Sequence, residues 1–229
     1  MDWKLSESRF VHNMRLYIIR HGETEWNHTL RLQGQTDIPL NENGRVLAQV
    51  TARALQMVPF DLCITSPLLR AKETAQIILG SRKIPFWEDA RIQEIGFGTY
   101  EGRRVRDENG MLVDPVFQNF FSHPDQFVPP GDAESLPQLL ARTAAFLDEL
   151  ALKTELADKT ILISTHGAAS RALLAHIKHT AHADFWDGGV PPNCAVTTVE
   201  LLPRTKENKE TDAPRWAVIE QDKIYYENI

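Results

Sequence analysis

Apolar positions along the chain follow two alternating patterns. Short stretches that are apolar on both faces, Leu16-Tyr17-Ile18-Ile19, Leu62-Cys63-Ile64 and Thr160-Ile161-Leu162-Ile163-Ser164, predict fully buried strands. Between them the period lengthens. Gly44 to Val58 places Leu47, Val50, Ala54 and Val58 near the helical repeat and stops at Pro59. Ser66-Pro67 offers an N-cap and a first-turn proline for a helix reaching about Leu79, closed by Gly80. A longer helix is predicted from Ser135 to about Lys153, with Leu139, Thr143, Phe146 and Leu150 on one face. The third apolar stretch leads into a helix through about Lys178. Cys194 to Leu202 and Trp216 to Glu220 predict later strands, with a charged surface loop, Arg204 to Asp212, between them. Strands apolar on both faces, alternating with helices, imply an α/β fold with a mostly parallel sheet covered on both sides.

One segment breaks the rhythm. Residues 103–130 begin with Arg103, Arg104 and Arg106, continue through Phe117, Phe120, Phe121 and Phe127, and end in Pro129-Pro130-Gly131. This is read as a lid inserted over part of the sheet's top, its phenylalanines either facing a substrate or anchoring the lid to the body. Residues 1–13 carry no period and are expected to be an N-terminal extension, leaving 14–229 as a single domain.

Composition narrows the classes. The 229 residues are 42% hydrophobic and 24% charged, a globular balance that excludes wholesale disorder. The net charge of −6 speaks against nucleic acid or anionic membrane as a partner. No apolar run is long enough to span a bilayer, and the N-terminus lacks the apolar core of a signal peptide, so a cytoplasmic location is expected. Cys63 and Cys194 lie far apart in apolar runs and are read as reduced, buried small hydrophobes.

In an open parallel sheet, ligands bind beyond the carboxyl ends of the strands. Here the first strand ends in Arg20-His21-Gly22, the second in Ser66-Pro67 with Arg70 a turn further on, and the third in His166-Gly167. Each alone is an ordinary turn or surface feature. Together they bring two histidines, two arginines and helix N-termini to one rim, a focused positive site whose natural guest is phosphate. A neutral imidazole at such a site is a competent nucleophile toward phosphorus. The leaving alkoxide then needs a proton. Glu94, set between apolar residues and glycines in Ile92-Gln93-Glu94-Ile95-Gly96, is the candidate donor, its pKa expected to be raised by desolvation. The alternative is a solvent-exposed glutamate at a strand end. Glu101 is a rival acid.

These residues resemble the histidine phosphatase superfamily, which includes the cofactor-dependent phosphoglycerate mutases. The similarity runs through Arg20-His21-Gly22-Glu23-Thr24 with Trp26-Asn27, Gln33-Gly34, Leu40-Asn41-Glu42-Asn43-Gly44 and Ser66-Pro67-Leu68-Leu69-Arg70. It continues with Glu94, Phe97-Gly98, Glu101-Gly102 and Thr165-His166-Gly167. It implies a three-layer α/β/α sandwich of the phosphoglycerate mutase type. It also implies that His21 is the phosphorylated nucleophile and Glu94 the proton donor and later base. Arg20, Asn27, Arg70, His166 and the Gly167 amide would hold the phosphate, and Thr24, Gln33 and Gly34 would meet the substrate. No cofactor and no metal is implied.

Within that resemblance two reactions remain open. Only about 40 positions separate Glu94 from the next helix, and Pro129-Pro130-Gly131-Asp132-Ala133-Glu134-Ser135 looks like the Pro-Gly-Gly-Glu-Ser stretch of the phosphatase branch, with Asp132-Ala133 in place of the second glycine. Both favour hydrolysis of a small phosphorylated metabolite. Arg103 and Arg104 are suited to a carboxylated substrate and keep a mutase as the alternative. Three rivals carry less. A non-catalytic phospholigand-binding protein would not need His21, Glu94 and His166 together. Gly96, Gly98 and Gly102 have the wrong spacing for a dinucleotide fingerprint. His176, His179 and His182 read as a solvated helix end, not a metal site. Oligomeric state is not legible in the sequence.

Overall fold

The computed structural model describes residues 13–105, 107, 109–202 and 215–227. Residues 1–12 of the expected N-terminal extension, Arg106 and the expected charged loop 204–212 lie outside them. The strands are β1 (Arg15–Arg20), β2 (Leu62–Thr65), β3 (Phe86–Glu88), β4 (Thr160–Thr165), β5 (Val196–Leu201) and β6 (Trp216–Lys223). They form one sheet in the order β3-β2-β4-β1-β5-β6. β1 to β4 run parallel, whereas β5 pairs antiparallel with β1 and β6 antiparallel with β5.

Alternation along the strands builds the three layers. Leu16 and Ile18 of β1, Ile64 of β2, and Ile161 and Ile163 of β4 pack with Phe146, Leu147 and Leu150 of α5 (Leu136–Leu152) and with Leu173, Leu174 and Ile177 of α6 (Gly167–Lys178). Their neighbours Ile19, Cys63 and Leu162 point the other way, onto Leu47 and Ala48 of α2 (Glu42–Ala54) and Ala75, Ile78 and Leu79 of α3 (Leu69–Leu79). The face expected for α5 is the buried one, and Ser135 caps it in a reciprocal capping box with Gln138.

Some boundaries differ from expectation. α2 begins earlier, capped by Asn41, and stops at Ala54 rather than Val58. The carbonyls of Leu55 and Gln56, just past the helix end, are taken by the Arg82 guanidinium at 3.0 and 3.1 Å. Ser66 does not cap α3: Leu68 holds the N-cap position, and the first-turn amide of Leu69 donates instead to Asp37 Oδ1 at 2.7 Å. Ser66 faces the site described below. Gly80 ends α3 with φ of +58°, a conformation open to glycine. β5 starts at Val196, because Cys194 sits at positive φ just before it, and β6 continues beyond Glu220 to Lys223.

Among its described residues the insertion is a mixture of tight turns, 3-10 turns and one short α-helix, α4 (Gln118–Ser122). Phe117, Phe120 and Phe127 are buried in a third cluster with Ile95, Phe97, Leu136, Leu139 and Ala168. They anchor this segment across the amino end of α6. The Trp186 indole N–H, donated to the Phe120 carbonyl at 2.6 Å, ties down its outer side. Phe121 is half-buried and faces the cavity below the lid.

Candidate active site

β2, β4 and β1 lie side by side, and β4 fills the gap between the first two parallel strands. Residues immediately past their carboxyl ends therefore meet at a topological switch point. The ladder register extends one residue into the site: the His21 amide donates to Thr165 O and the Ser66 amide to Ser164 O, both at 2.9 Å.

His21 is 2% exposed. Its Nδ1–H has the Gly22 carbonyl as partner at 2.7 Å, which leaves Nε2 with the lone pair. Arg70 Nε–H lies 3.2 Å from that Nε2 and 3.2 Å from His166 Nδ1. With Nδ1 accepting, His166 donates from Nε2 to Ser66 Oγ at 2.8 Å. The two imidazoles stand 5.1 Å apart, centroid to centroid. Burial, followed by the charges of Arg70 and Arg20, holds the His21 pKa well below its ordinary value; burial and then Arg70 do the same for His166. Both rings are neutral at pH 7.

Arg70 has no exposed surface, and burial lowers its pKa to about 10, still charged at neutrality. Its Nη groups donate to Gly34 O at 2.5 Å and Thr36 O at 3.0 Å. Arg20 donates from Nη1 to the Pro191 carbonyl, while its buried Nε has no partner; burial lowers its pKa too. A half-buried guanidinium with an unused donor is suited to an anion.

Glu94 is 7% exposed. It is buried as expected, but desolvation is not its whole environment. Its carboxylate accepts from the amides of Ile95, Ala168 and Ala169 at 3.0, 3.1 and 3.0 Å, so it also caps the first turn of α6. Arg142 of α5 holds the segment that presents it. Its Nη atoms donate to the carbonyls of Arg91, Gln93 and Glu94 at 2.7–2.9 Å, and it pairs with both oxygens of Glu134.

A cavity of about 300 Å³ opens above this cluster. Arg20, His21, Asn27, Gln33, Glu94 and Gly167 supply its polar floor, and Trp26, Leu32, Phe97, Phe121, Trp186 and Val190 are among its apolar walls. Asn27 Oδ1 is occupied by the Thr24 amide and Asn193 Nδ2, which leaves the amide NH₂ as the end able to meet a phosphate oxygen. Gln33 Oε1 accepts from Thr24 Oγ1 at 2.9 Å, and its buried Nε2 has no partner.

Of the residues singled out from the sequence, Thr24 and Gly34 are placed behind the cavity wall rather than on it. Thr24 is fully buried and caps α1 (Glu25–His28), the short helix that carries Asn27. Gly34 offers its carbonyl to Arg70. Arg70 and His166 contact the His21 ring and are not among the cavity-lining residues. Gly98 and Gly102 sit at positive φ in a turn, and His176 pairs with Asp148 at 2.9 Å. Among the described residues there is no cluster of metal-ligating side chains and no helix long and apolar enough to cross a membrane. Two contributors escaped the sequence reading. Asn193, whose Nδ2 donates to the His21 carbonyl at 3.0 Å, and Arg142 look like a turn residue and a surface charge until distant segments are brought together.

The model of the histidine phosphatase superfamily (branch 1) matches residues 16–212. The uncharacterized phosphatase PhoE of Bacillus subtilis is 35% identical over 160 residues, 70% of this chain and 75% of the relative. Among solved structures, Bacillus stearothermophilus YhfR is 33% identical with a TM-score of 0.74, covering 83% of this chain and 93% of its own. Phosphoserine phosphatase from Entamoeba histolytica, solved with 3-phosphoglyceric acid, is 30% identical with a TM-score of 0.68, covering 85% and 98%. Curated relatives include phosphoglycerate mutases as well as phosphatases.

Proposed function

Because the chain belongs to the histidine phosphatase superfamily (branch 1), we propose that it hydrolyses the phosphomonoester of a small metabolite through a phosphohistidine at His21. One observation carries the reading: His21 is a buried, neutral imidazole with Nδ1–H tied to Gly22 O and Nε2 facing a guanidinium. That is the tautomer and charge state a phosphorus nucleophile needs.

In the first step Nε2 attacks phosphorus in line, the Nε2–P bond forms and the ester P–O bond breaks. Arg70 exchanges its N–H···N contact for a charge-assisted bond to a phosphate oxygen. The free Nε of Arg20 and the amide of Asn27 meet other oxygens, and fixed donors of this kind favour the charge that spreads over them. Glu94 passes a proton to the departing oxygen. In the second step water attacks phosphorus, Glu94 takes its proton, and the P–N bond breaks to return His21. A positioned acid of this type is worth about 10²–10⁴-fold. The Arg20-His21-Gly22 motif thus supplies cation, nucleophile and tautomer lock together.

Hydrolysis is favoured over mutase chemistry by the walls of the cavity. Beyond the phosphate end they are largely apolar, formed by Trp26, Phe97, Phe121 and Trp186, with Arg31 the further basic side chain on the lining. Such a wall suits an apolar leaving group better than a carboxylated one. Residues 14–229 form one catalytic domain whose lid, residues 103–130, shapes the substrate mouth. A cytoplasmic setting fits the buried free thiols of Cys63 and Cys194.

The test is turnover of an aryl phosphate by the wild type and by His21→Ala, with 3-phosphoglycerate assayed alongside. The expected result is release of inorganic phosphate from the ester, loss of that activity in the variant, and no 2-phosphoglycerate. Near wild-type turnover by His21→Ala, or isomerisation outpacing hydrolysis, would overturn the proposal.

A further inference from the structure

Glu101 was a rival for the proton donor, but its carboxylate is fully engaged elsewhere. Oε1 accepts from the amides of Gln35 at 2.8 Å and Phe97 at 3.1 Å; Oε2 accepts from the Thr36 amide at 2.6 Å and from the Thr36 hydroxyl. Three of those four donors belong to residues 35 and 36. The same short segment supplies the carbonyls of Gly34 and Thr36 that hold both Nη groups of Arg70. Arg70 then has its Nε–H aimed between His21 Nε2 and His166 Nδ1. The approach depends on glycine: a Cβ at residue 34 would stand 2.1 Å from Glu101 Oε1.

We infer that Glu101 is a positioning residue for phosphoryl transfer: it fixes the 34–36 segment and, through the Gly34 and Thr36 carbonyls, the aim of the Arg70 guanidinium at His21. The inference rests on the phosphatase reading above. A surface staple would affect only stability. A residue acting through Arg70 affects the phosphoryl step, and only while Arg70 is present. Misplacement of a reacting group by about 1 Å costs on the order of 10²-fold in rate, and coupled residues depart from additivity.

The experiment is a double-mutant cycle of Glu101→Gln and Arg70→Ala, read as kcat for an aryl and an alkyl phosphate. Affinity for inorganic phosphate is measured by calorimetry alongside. In Glu101→Gln an NH₂ faces amide donors while the shape is kept. The expected result is a fall in kcat on the order of 10²-fold, the same for both leaving groups. Phosphate affinity falls with it, and Glu101→Gln has little further effect once Arg70 is alanine. Thr36→Val removes only the hydroxyl bond and leaves the backbone in place; it is expected to show a smaller loss, also cancelled by Arg70→Ala, and it decides the matter if Glu101→Gln does not fold. Wild-type kcat in both variants, losses that multiply with that of Arg70→Ala, or a loss confined to the alkyl ester would each overturn the inference. Absence of turnover in the wild type would instead overturn the phosphatase reading, and phosphate affinity would still test the link from Glu101 to Arg70.

Discussion

At the scale of single residues, the account turns on how one imidazole is kept neutral and aimed. The Gly22 carbonyl fixes the Nδ1 proton, while burial and two arginines hold the pKa of His21 well down. As the proposed nucleophile, His21 is therefore unprotonated throughout the ordinary histidine range. With an aryl phosphate, kcat/KM should stay level from pH 7.5 to about 6.5 and fall only at lower pH, where His21 protonates. A pH–rate profile already halved near pH 7 would contradict this. Glu94→Gln should slow an alkyl ester by about 10²–10⁴-fold and an activated aryl ester much less, since only the poor leaving group needs the proton; equal slowing of the two would count against that role. His21, Arg20, Arg70 and His166 were legible in the sequence because each stands at or just beyond a strand end, where topology alone sends it to one rim. Asn193, Arg142 and the use made of Glu101 were not. Their value lies in partners more than 40 positions away or in the carbonyls of a loop without periodic pattern.

At the scale of elements, long periodic segments could be read and short ones could not. The α5 stripe was visible as an alternating spacing of four and three residues over several turns, whereas β3 is three residues long with half-buried or exposed side chains, too short to carry a period. α1 is a single turn held by the Thr24–Asn27 capping box. The beginning of α3 was misplaced because Ser66 has a better partner in His166, and its cap comes from Asp37, 32 positions away. Caps and anchors at these ends are measurable. Ser135→Ala should lower unfolding free energy by about 1 kcal/mol, seen as a lower urea midpoint at unchanged m-value; no change would show that the cap hydrogen bonds of α5 are replaced by water. Trp186→Phe removes the indole bond to the Phe120 carbonyl that ties the lid to the turn before β5. It should raise KM for bulky aryl phosphates several-fold with little change in kcat, and equal effects on kcat would mean that the lid governs the chemical step.

For the molecule as a whole, function and stability share the same buried groups. His21 and His166 have folded pKa values below the unfolded reference near 6.5. As pH falls below that reference the unfolded chain takes up protons that the folded state resists, so stability is full above about pH 6.5 and declines toward acid. The urea midpoint should therefore drop between pH 7.5 and 5, and His166→Gln should flatten the decline; a midpoint that rises toward acid would reverse the sign of this linkage. The three layers were readable from the two-sided apolar strands, but the antiparallel pairing of β5 and β6 was not, because hydrophobic pattern does not encode strand direction. The central claim is a double displacement through His21, and the configuration at phosphorus tests it most directly. A phosphorothioate monoester made chiral with oxygen isotopes, hydrolysed in isotopically distinct water, should yield thiophosphate with retained configuration, because two in-line attacks each invert the centre. Net inversion would mean a single direct attack by water and would contradict the phosphohistidine.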